Sequence, residues 1–210
     1  MAERVETSAS ALTKRRRLTK ESRGEQLLDI AEELLVANGY EATSIEDVAR
    51  AAGVTRPILY DHFASKEGML LACCRRARSQ FEASLVGALS ESGADPETLV
   101  ERAGSVYFEM LERDPRRWAI LFSSTTAQSG VLAEGLSALR RGTILRIAHI
   151  IAQHAPDAPD HAVEACAYAI SGVGEQLGRC MLANPALGRN EAAALFRTFV
   201  TAGLRVVLRL

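Results

Sequence analysis

Hydrophobic residues recur every three to four positions along most of the chain, which is the spacing that gathers them on one face of an α-helix. The first such face is formed by Leu27, Ile30, Ala31, Leu34 and Leu35. Ser22 and Glu25 stand three residues apart just before it, as in a capping box, and Gly39 follows it as a stop. The pattern therefore predicts a first helix that opens at Ser22.

The same periodicity, interrupted by glycine and proline, predicts helices along the rest of the chain, and no segment alternates as a strand would. A second helix opens at Thr43 or Ser44, a third follows Thr55, and a long fourth follows Ser65. Later helices are predicted at 96–113, 115 to about 124, 129–154, 160–183 and 190–209. The expected fold class is all-α, with about nine helices.

Two short helices joined by a tight turn stand out between Thr43 and Phe63. Small residues lie where the helices would touch, and Gly53 supplies the turn with the positive dihedral angle that it needs. This is the pattern of a helix-turn-helix, whose second helix can enter the major groove of DNA. An ordinary corner between two helices is the alternative.

Composition at first argues against a nucleic-acid partner, because the 210 residues carry a net charge of -1. The charge is unevenly spread, however. Between Met1 and Arg23 there are seven Lys and Arg against three Glu. This segment has no apolar period, so residues 1–18 are predicted to form a flexible basic arm. A solvated tail without a specific contact is the alternative.

Other classes of function find little support in the sequence. The four cysteines lack metal-binding or disulfide-framework spacing, and His149, His154 and His161 do not pair at helical spacing, so no metal and no cofactor are expected. No nucleophile elbow or phosphate-binding loop occurs, so we do not expect an enzyme. Without a signal peptide or a long apolar run, the chain is expected to be cytoplasmic and to have no membrane partner.

The residues around this motif resemble the tetracycline-repressor (TetR) family of bacterial transcriptional regulators. The resemblance is carried by SRGEQLLDIA at 22–31, GYEATSIEDVA at 39–49 and GVTRPILYDHFASKE at 53–67. It covers about the first third of the chain. It implies an N-terminal three-helix DNA-binding domain at 19–66 and a helical effector-binding and dimerisation domain at 67–210.

By this resemblance, individual residues acquire expected roles at a double-stranded DNA operator. Thr43 would hold a phosphate at a helix N-terminus, Thr55 and Arg56 would open the recognition helix, and Arg56 would read a guanine. Pro57 and Ile58 could meet a thymine methyl group. The expected phosphate contacts are Tyr60, His62 and Lys66, with Arg15, Arg16 and Arg17 of the arm beside them. Asp61 could accept from cytosine or could repel phosphate.

The C-terminal region supports less specific expectations. Aromatic residues concentrate between Tyr107 and Phe122, where they either fill a core or line a cavity, and by analogy with the family Phe108, Trp118 and Phe122 are candidates to contact a mainly apolar effector. The apolar stripes of 160–183 and 190–209 either close a monomer core or, as the resemblance implies, form a four-helix homodimer interface.

Together these expectations describe a ligand-responsive repressor that binds a palindromic operator as a homodimer. The alternative is a helical small-molecule-binding or scaffold protein that has lost operator binding.

Overall fold

The computed structural model describes residues 19–89, 95–122 and 130–208, and within these ranges every regular element is an α-helix. The all-α expectation is therefore confirmed. The nine helices of the described ranges are α1 (Lys20–Asn38), α2 (Ile45–Ala52), α3 (Arg56–Phe63), α4 (Lys66–Leu89), α5 (Pro96–Arg113), α6 (Pro115–Phe122), α7 (Gly130–His154), α8 (Asp160–Ala183) and α9 (Arg189–Leu208).

The starts of the first two helices depend on which side chain caps them. The prediction that α1 opens at Ser22 is wrong, because the hydroxyl of Thr19 accepts from the Ser22 amide at 3.1 Å and caps a helix that begins at Lys20. At α2 the choice falls on Ser44. Its hydroxyl accepts from the Asp47 amide at 3.2 Å, while the Asp47 carboxylate accepts from the Ser44 amide at 3.1 Å, which completes a capping box.

One hydrophobic core joins α1, α2 and α3 to the first half of α4. Leu27, Val48 and Leu59 are fully buried in it, and the longest helix, α7, adds Leu132 and Leu136. The start of α4 thus belongs to the same core as the three helices before it. The domain boundary at residue 66 stays a prediction.

Two adjacent cysteines lie inside this first core. Burial raises the pKa of Cys73 to about 12 and that of Cys74 to about 11. Both thiols therefore stay protonated near neutral pH and are poor nucleophiles in the folded chain.

A second core fills the space between α5, α7, α8 and α9. Phe108 and Ala167 are fully buried there, and the rings of Phe108 and Phe196 meet edge to face with their centroids 6.0 Å apart. Most of the apolar stripe predicted for α8, from Val163 to Gly178, packs into this core. Over the described ranges, none of the helices is both long and apolar enough to cross a bilayer.

Candidate nucleic-acid interface and internal cavity

The angle between α2 and α3 is set by a glycine turn. Gly53 ends α2 in the left-handed region, with φ of 63°, and the Val54 amide donates to the Ala49 carbonyl at 3.0 Å. Thr55 follows in an extended conformation, and Pro57 occupies the first turn of α3. The predicted helix-turn-helix is thus held by the backbone conformation of this turn and by the hydrophobic core that α2 and α3 share.

The outward face of α3 carries four of the residues to which the sequence drew attention. Arg56, Pro57, Tyr60 and Asp61 are all exposed and recur at the spacing of one helical face. Leu59 and Phe63 on the opposite side are buried. Ile58 is half-buried against the core. Its side chain is therefore less available than that of Pro57 to contact a thymine methyl group. The structure thereby presents Arg56 and Tyr60 side by side to solvent.

Two cations at or near this face, Arg56 of α3 and Lys66 at the start of α4, already have partners within the chain. Arg56 Nε lies 3.0 Å from Glu46 Oε1 of α2. The Lys66 ammonium donates to the Glu41 carbonyl at 3.1 Å and sits 4.4 Å from the centre of the Tyr40 ring. These contacts hold both side chains beside the helix-turn-helix.

His62 turns away from the exposed face of α3. It is half-buried, and its ring lies beside Gly24 of α1, where a β-carbon would be 3.4 Å from Nδ1. Thr55, by contrast, is exposed. Within residues 19–89, its side chain makes no capping bond to α3. Thr55 is therefore better placed than His62 to contact a partner molecule.

The structure does not support the phosphate role expected for Thr43. Its side chain is fully buried, and its hydroxyl donates to the Gly39 carbonyl at 2.8 Å and lies 3.2 Å from the Leu34 carbonyl. It ties the loop before α2 to the end of α1. The other hydroxyl at this helix terminus, that of Ser44, is half-buried and engaged in the capping box. Arg15, Arg16 and Arg17 lie outside the described residues.

The junction between α3 and α4 is tight. Ala64 ends α3 with φ of 63°, a conformation unusual for a residue with a β-carbon. A β-carbon on Gly68 would stand 2.0 Å from the Phe63 carbonyl oxygen. The close approach fixes the direction in which α4 leaves the helix-turn-helix.

An elongated cavity of about 200 Å³ lies between α4, α5, α7, α8 and α9. Its walls are mostly apolar, with Phe81, Leu85, Ile147 and Phe196 among them. Because α4 lines it from Arg78 to Leu89, it extends about 16 Å along that helix at 1.5 Å per residue. Such a space suits a small apolar or amphipathic molecule.

The aromatic residues expected to contact an effector lie elsewhere. Phe108 is fully buried in the second core, and Trp118 borders a separate cavity between α4, α5 and α6. Tyr107 lines the elongated cavity instead, and its hydroxyl accepts from Trp118 Nε1 at 3.1 Å. The side chain of Phe122 lies outside the described residues. A broad aromatic stripe alone could not show which of its members faces a cavity.

Polar side chains gather at one end of the elongated cavity. Arg140 lies 2.7 Å from Glu175, and Arg179 approaches the same carboxylate at 3.0 Å. Arg78 donates to the Thr143 hydroxyl at 3.2 Å, and burial lowers its pKa. Three guanidinium groups therefore meet beside a cavity whose remaining walls are largely hydrocarbon.

A second buried ionic cluster ties α1 to the C-terminal helices. Glu32 is 7% exposed, and its carboxylate binds both Arg76 of α4 and Arg117 of α6. Arg76 also donates to Asp29 at 2.7 Å. Sequence periodicity did not indicate this cluster. A glutamate at position 32 is expected to face solvent, and only the packing of α6 against α1 buries it.

Comparisons with known proteins agree with the helix-turn-helix geometry. The family model described as bacterial regulatory proteins, tetR family, matches residues 27–73, the segment that holds α2, the turn and α3. A solved structure, a TetR-like transcriptional regulator from Rhodococcus sp. RHA1, superposes on 90% of this chain and 98% of its own with a TM-score of 0.66 at 24% identity. Residues 27–73 therefore match the TetR family, and the described helices share the fold of a TetR-like structure.

Curated relatives match about half of this chain or less. The transcriptional activator FasR of Mycolicibacterium smegmatis is 32% identical over 108 residues, which are 51% of this chain and 49% of FasR. The transcriptional repressor KstR2 of Rhodococcus jostii is 47% identical over 51 residues, or 24% of this chain and 25% of KstR2. The chain thus spans half or less of these relatives, which are regulators of transcription rather than enzymes.

The chain also exposes apolar residues on its last two helices. Phe199 is 56% exposed and Val206 is 79% exposed on α9, and Tyr168 is 50% exposed on α8. Ala202 and Gly203 continue the exposed face of α9 between Phe199 and Val206. The inward residues of α8 and α9 close the second core, and the dimer interface expected on these helices stays a prediction.

Proposed function

We propose that this chain is a ligand-responsive repressor that binds a roughly palindromic operator as a homodimer. The observation that carries the proposal is the exposed face of α3, which sets Arg56, Pro57 and Tyr60 at the start of the second helix of a helix-turn-helix. An arginine there can bond the O6 and N7 atoms of guanine, a contact worth about 1 to 3 kcal/mol of discrimination. Thr55, Tyr60 and Lys66 would fix the helix on the phosphates.

The exposed apolar surface of α8 and α9 supports the homodimer. An apolar row on α9 is exposed to solvent, which is unfavourable for so large an apolar surface. The row consists of Phe199, Ala202, Gly203 and Val206. Its small residues allow a second helix to approach closely. A two-fold axis there would give two recognition helices, as a palindromic operator requires. The elongated cavity would hold the effector, whose unequal affinity for the DNA-bound and free forms would shift the equilibrium.

The relatives include both an activator and a repressor. Footprinting of the purified chain on the DNA upstream of its own coding region tests operator binding. A protected, two-fold symmetric site supports the proposal. If the chain binds a small molecule but protects no DNA, the proposal is overturned in favour of the small-molecule-binding or scaffold alternative.

Sedimentation of the unaltered chain and of Phe199→Asp tests the dimer. The unaltered chain should sediment as a dimer at micromolar concentration and the variant as a monomer. Val131→Asp is the matched control, since Val131 is 73% exposed on α7 and should leave the dimer intact. A monomeric unaltered chain would contradict the proposed assembly.

A further inference from the structure

Asp61 is the residue of α3 that points most directly away from the hydrophobic core. It stands two positions after Leu59 and two before Phe63, the buried residues of this helix. Two residues turn an α-helix by about 200°, so the Asp61 side chain points away from both, and it is exposed. In a helix-turn-helix, this outward side of the second helix is the one that enters the major groove.

The fold itself gives no reason for a carboxylate at this position. Among the residues that the structure describes, Asp61 has no ion pair and no side-chain hydrogen bond. It also lies in the last turn of α3, where the helix dipole disfavours negative charge. The carboxylates of α2 differ, because Glu46 pairs with Arg56 and Asp47 takes part in the capping box. A residue that opposes local stability in this way is expected at a functional site.

The chemistry of the major groove limits what such a carboxylate can do there. The phosphates of DNA repel it, so it weakens binding unless a base donates a hydrogen bond to it. An ionised carboxylate only accepts, and the donors in the major groove are the amino groups of cytosine and adenine. Adenine carries the N7 acceptor beside its amino group, so cytosine N4 is the better partner for two carboxylate oxygens.

Asp61 and Arg56 would meet different base pairs. They are five residues apart, or about 7.5 Å along α3 at 1.5 Å per residue. Successive bases of a strand are about 3.4 Å apart along the DNA axis. The two side chains are also chemical opposites, since arginine only donates and aspartate only accepts. Asp61 therefore adds information that Arg56 does not supply.

We infer that Asp61 is a specificity-determining residue that accepts a hydrogen bond from a cytosine N4 amino group in each operator half-site. The inference rests on the proposed operator binding and specifies the base chemistry of the operator. Each half-site holds a guanine for Arg56 and, at another base pair, a cytosine for Asp61.

Selection of bound sequences from random duplexes, with the full chain and with two variants, tests the inference. The unaltered chain should favour cytosine at one position of each half-site by roughly fivefold or more. Asp61→Ala should lose the preference at that position alone. Asp61→Asn should shift it to adenine, because an amide can bond both N6 and N7 of that base. Asp157→Asn is the matched control at an exposed site between α7 and α8, and it should select the unaltered motif.

Thermal unfolding shows that any change in the motif is not a loss of fold. The midpoints of both Asp61 variants should be no lower than that of the unaltered chain, because the removed charge opposes the helix dipole. If Asp61→Asn binds every sequence more tightly and selects an unchanged motif, Asp61 only repels phosphate and the inference is overturned. Operator binding survives that result. If the unaltered chain selects no motif, the proposed operator binding fails and the inference fails with it.

Discussion

Glu46 and Arg56 form an ion pair across the helix-turn-helix, with Arg56 Nε 3.0 Å from Glu46 Oε1. The arginine proposed to read a base is thus held by a carboxylate of the preceding helix when DNA is absent. Both side chains are accessible to solvent, so the pair is weak and can open when a better acceptor is offered. Base recognition by Arg56 would therefore compete with an internal partner.

Replacement of Glu46 by Gln should raise affinity for DNA of any sequence. The change removes a negative charge near the phosphates and frees Arg56, so the gain should shrink as salt is added. Titration of labelled duplexes at several salt concentrations measures it. Glu101→Gln is the matched control, because it makes the same change at an exposed site on α5. An unchanged affinity in the Glu46 variant would mean that the pair does not restrain Arg56.

Replacement of Arg56 by Ala should relax specificity at one base position of each half-site. Loss of a bidentate contact should cost about 1 to 3 kcal/mol on the preferred base and little on the others. Binding to a set of operators substituted one base at a time gives the profile. A uniform loss across all bases would show that Arg56 contacts phosphate.

Replacement of Lys66 by Ala should weaken binding to all sequences alike and lower the slope of log affinity against log salt by about 1. Lys66 also holds the Glu41 carbonyl and the Tyr40 ring, so a second variant separates the two effects. Tyr40→Leu removes the ring and keeps the cation, and its salt slope should not change. The same drop in both variants would assign Lys66 a structural role only.

Replacement of Glu32 by Gln should destabilise the fold by about 1 to 3 kcal/mol, because Arg76 and Arg117 would lose a shared buried carboxylate, while Arg76 keeps Asp29 and Arg117 is partly exposed. Thermal and denaturant unfolding measure the loss. Glu33→Gln changes the neighbouring, exposed carboxylate and should be nearly neutral. Comparable stability in the two variants would mean that solvent or another group compensates the arginines.

Replacement of Gly68 by Ala should be among the most damaging single-methyl changes in the chain, since the new β-carbon would meet the Phe63 carbonyl oxygen at 2.0 Å. Gly142→Ala is the control. Gly142 lies within α7, and among the described residues no atom comes within 4 Å of an added β-carbon, so alanine there should stabilise the helix by roughly 0.5 to 1 kcal/mol. Denaturant midpoints of the two variants should therefore move in opposite directions.

Sequence periodicity and capping chemistry accounted for the helices well, because both act within one or two turns of chain. The bounds of α5 and α8 agree with prediction at both ends. The start of α1 was missed because Thr19 and Ser22 can both cap, and spacing alone favoured the one with a glutamate three residues later.

The candidate site was predicted less completely, for reasons that lie in packing. Thr43 and Ser44 are both hydroxyl residues at a helix start, and only the position of α1 decides that Thr43 faces inward. Similarly, Tyr107 and Phe108 are neighbours on one helix, and the tertiary arrangement decides which one borders the cavity. The polar end of that cavity draws residues from three helices, so no local pattern contains it.

The hydrogen bond between Trp118 and Tyr107 makes the tryptophan an intrinsic fluorescence probe of the elongated cavity. Trp118 is the single tryptophan of the chain, it is 2% exposed, and its indole donates to a tyrosine whose ring borders the elongated cavity. Any molecule that displaces Tyr107 would alter the surroundings of one chromophore. Occupancy of the cavity could thus be followed by emission from an unlabelled protein, in real time and while it is bound to DNA.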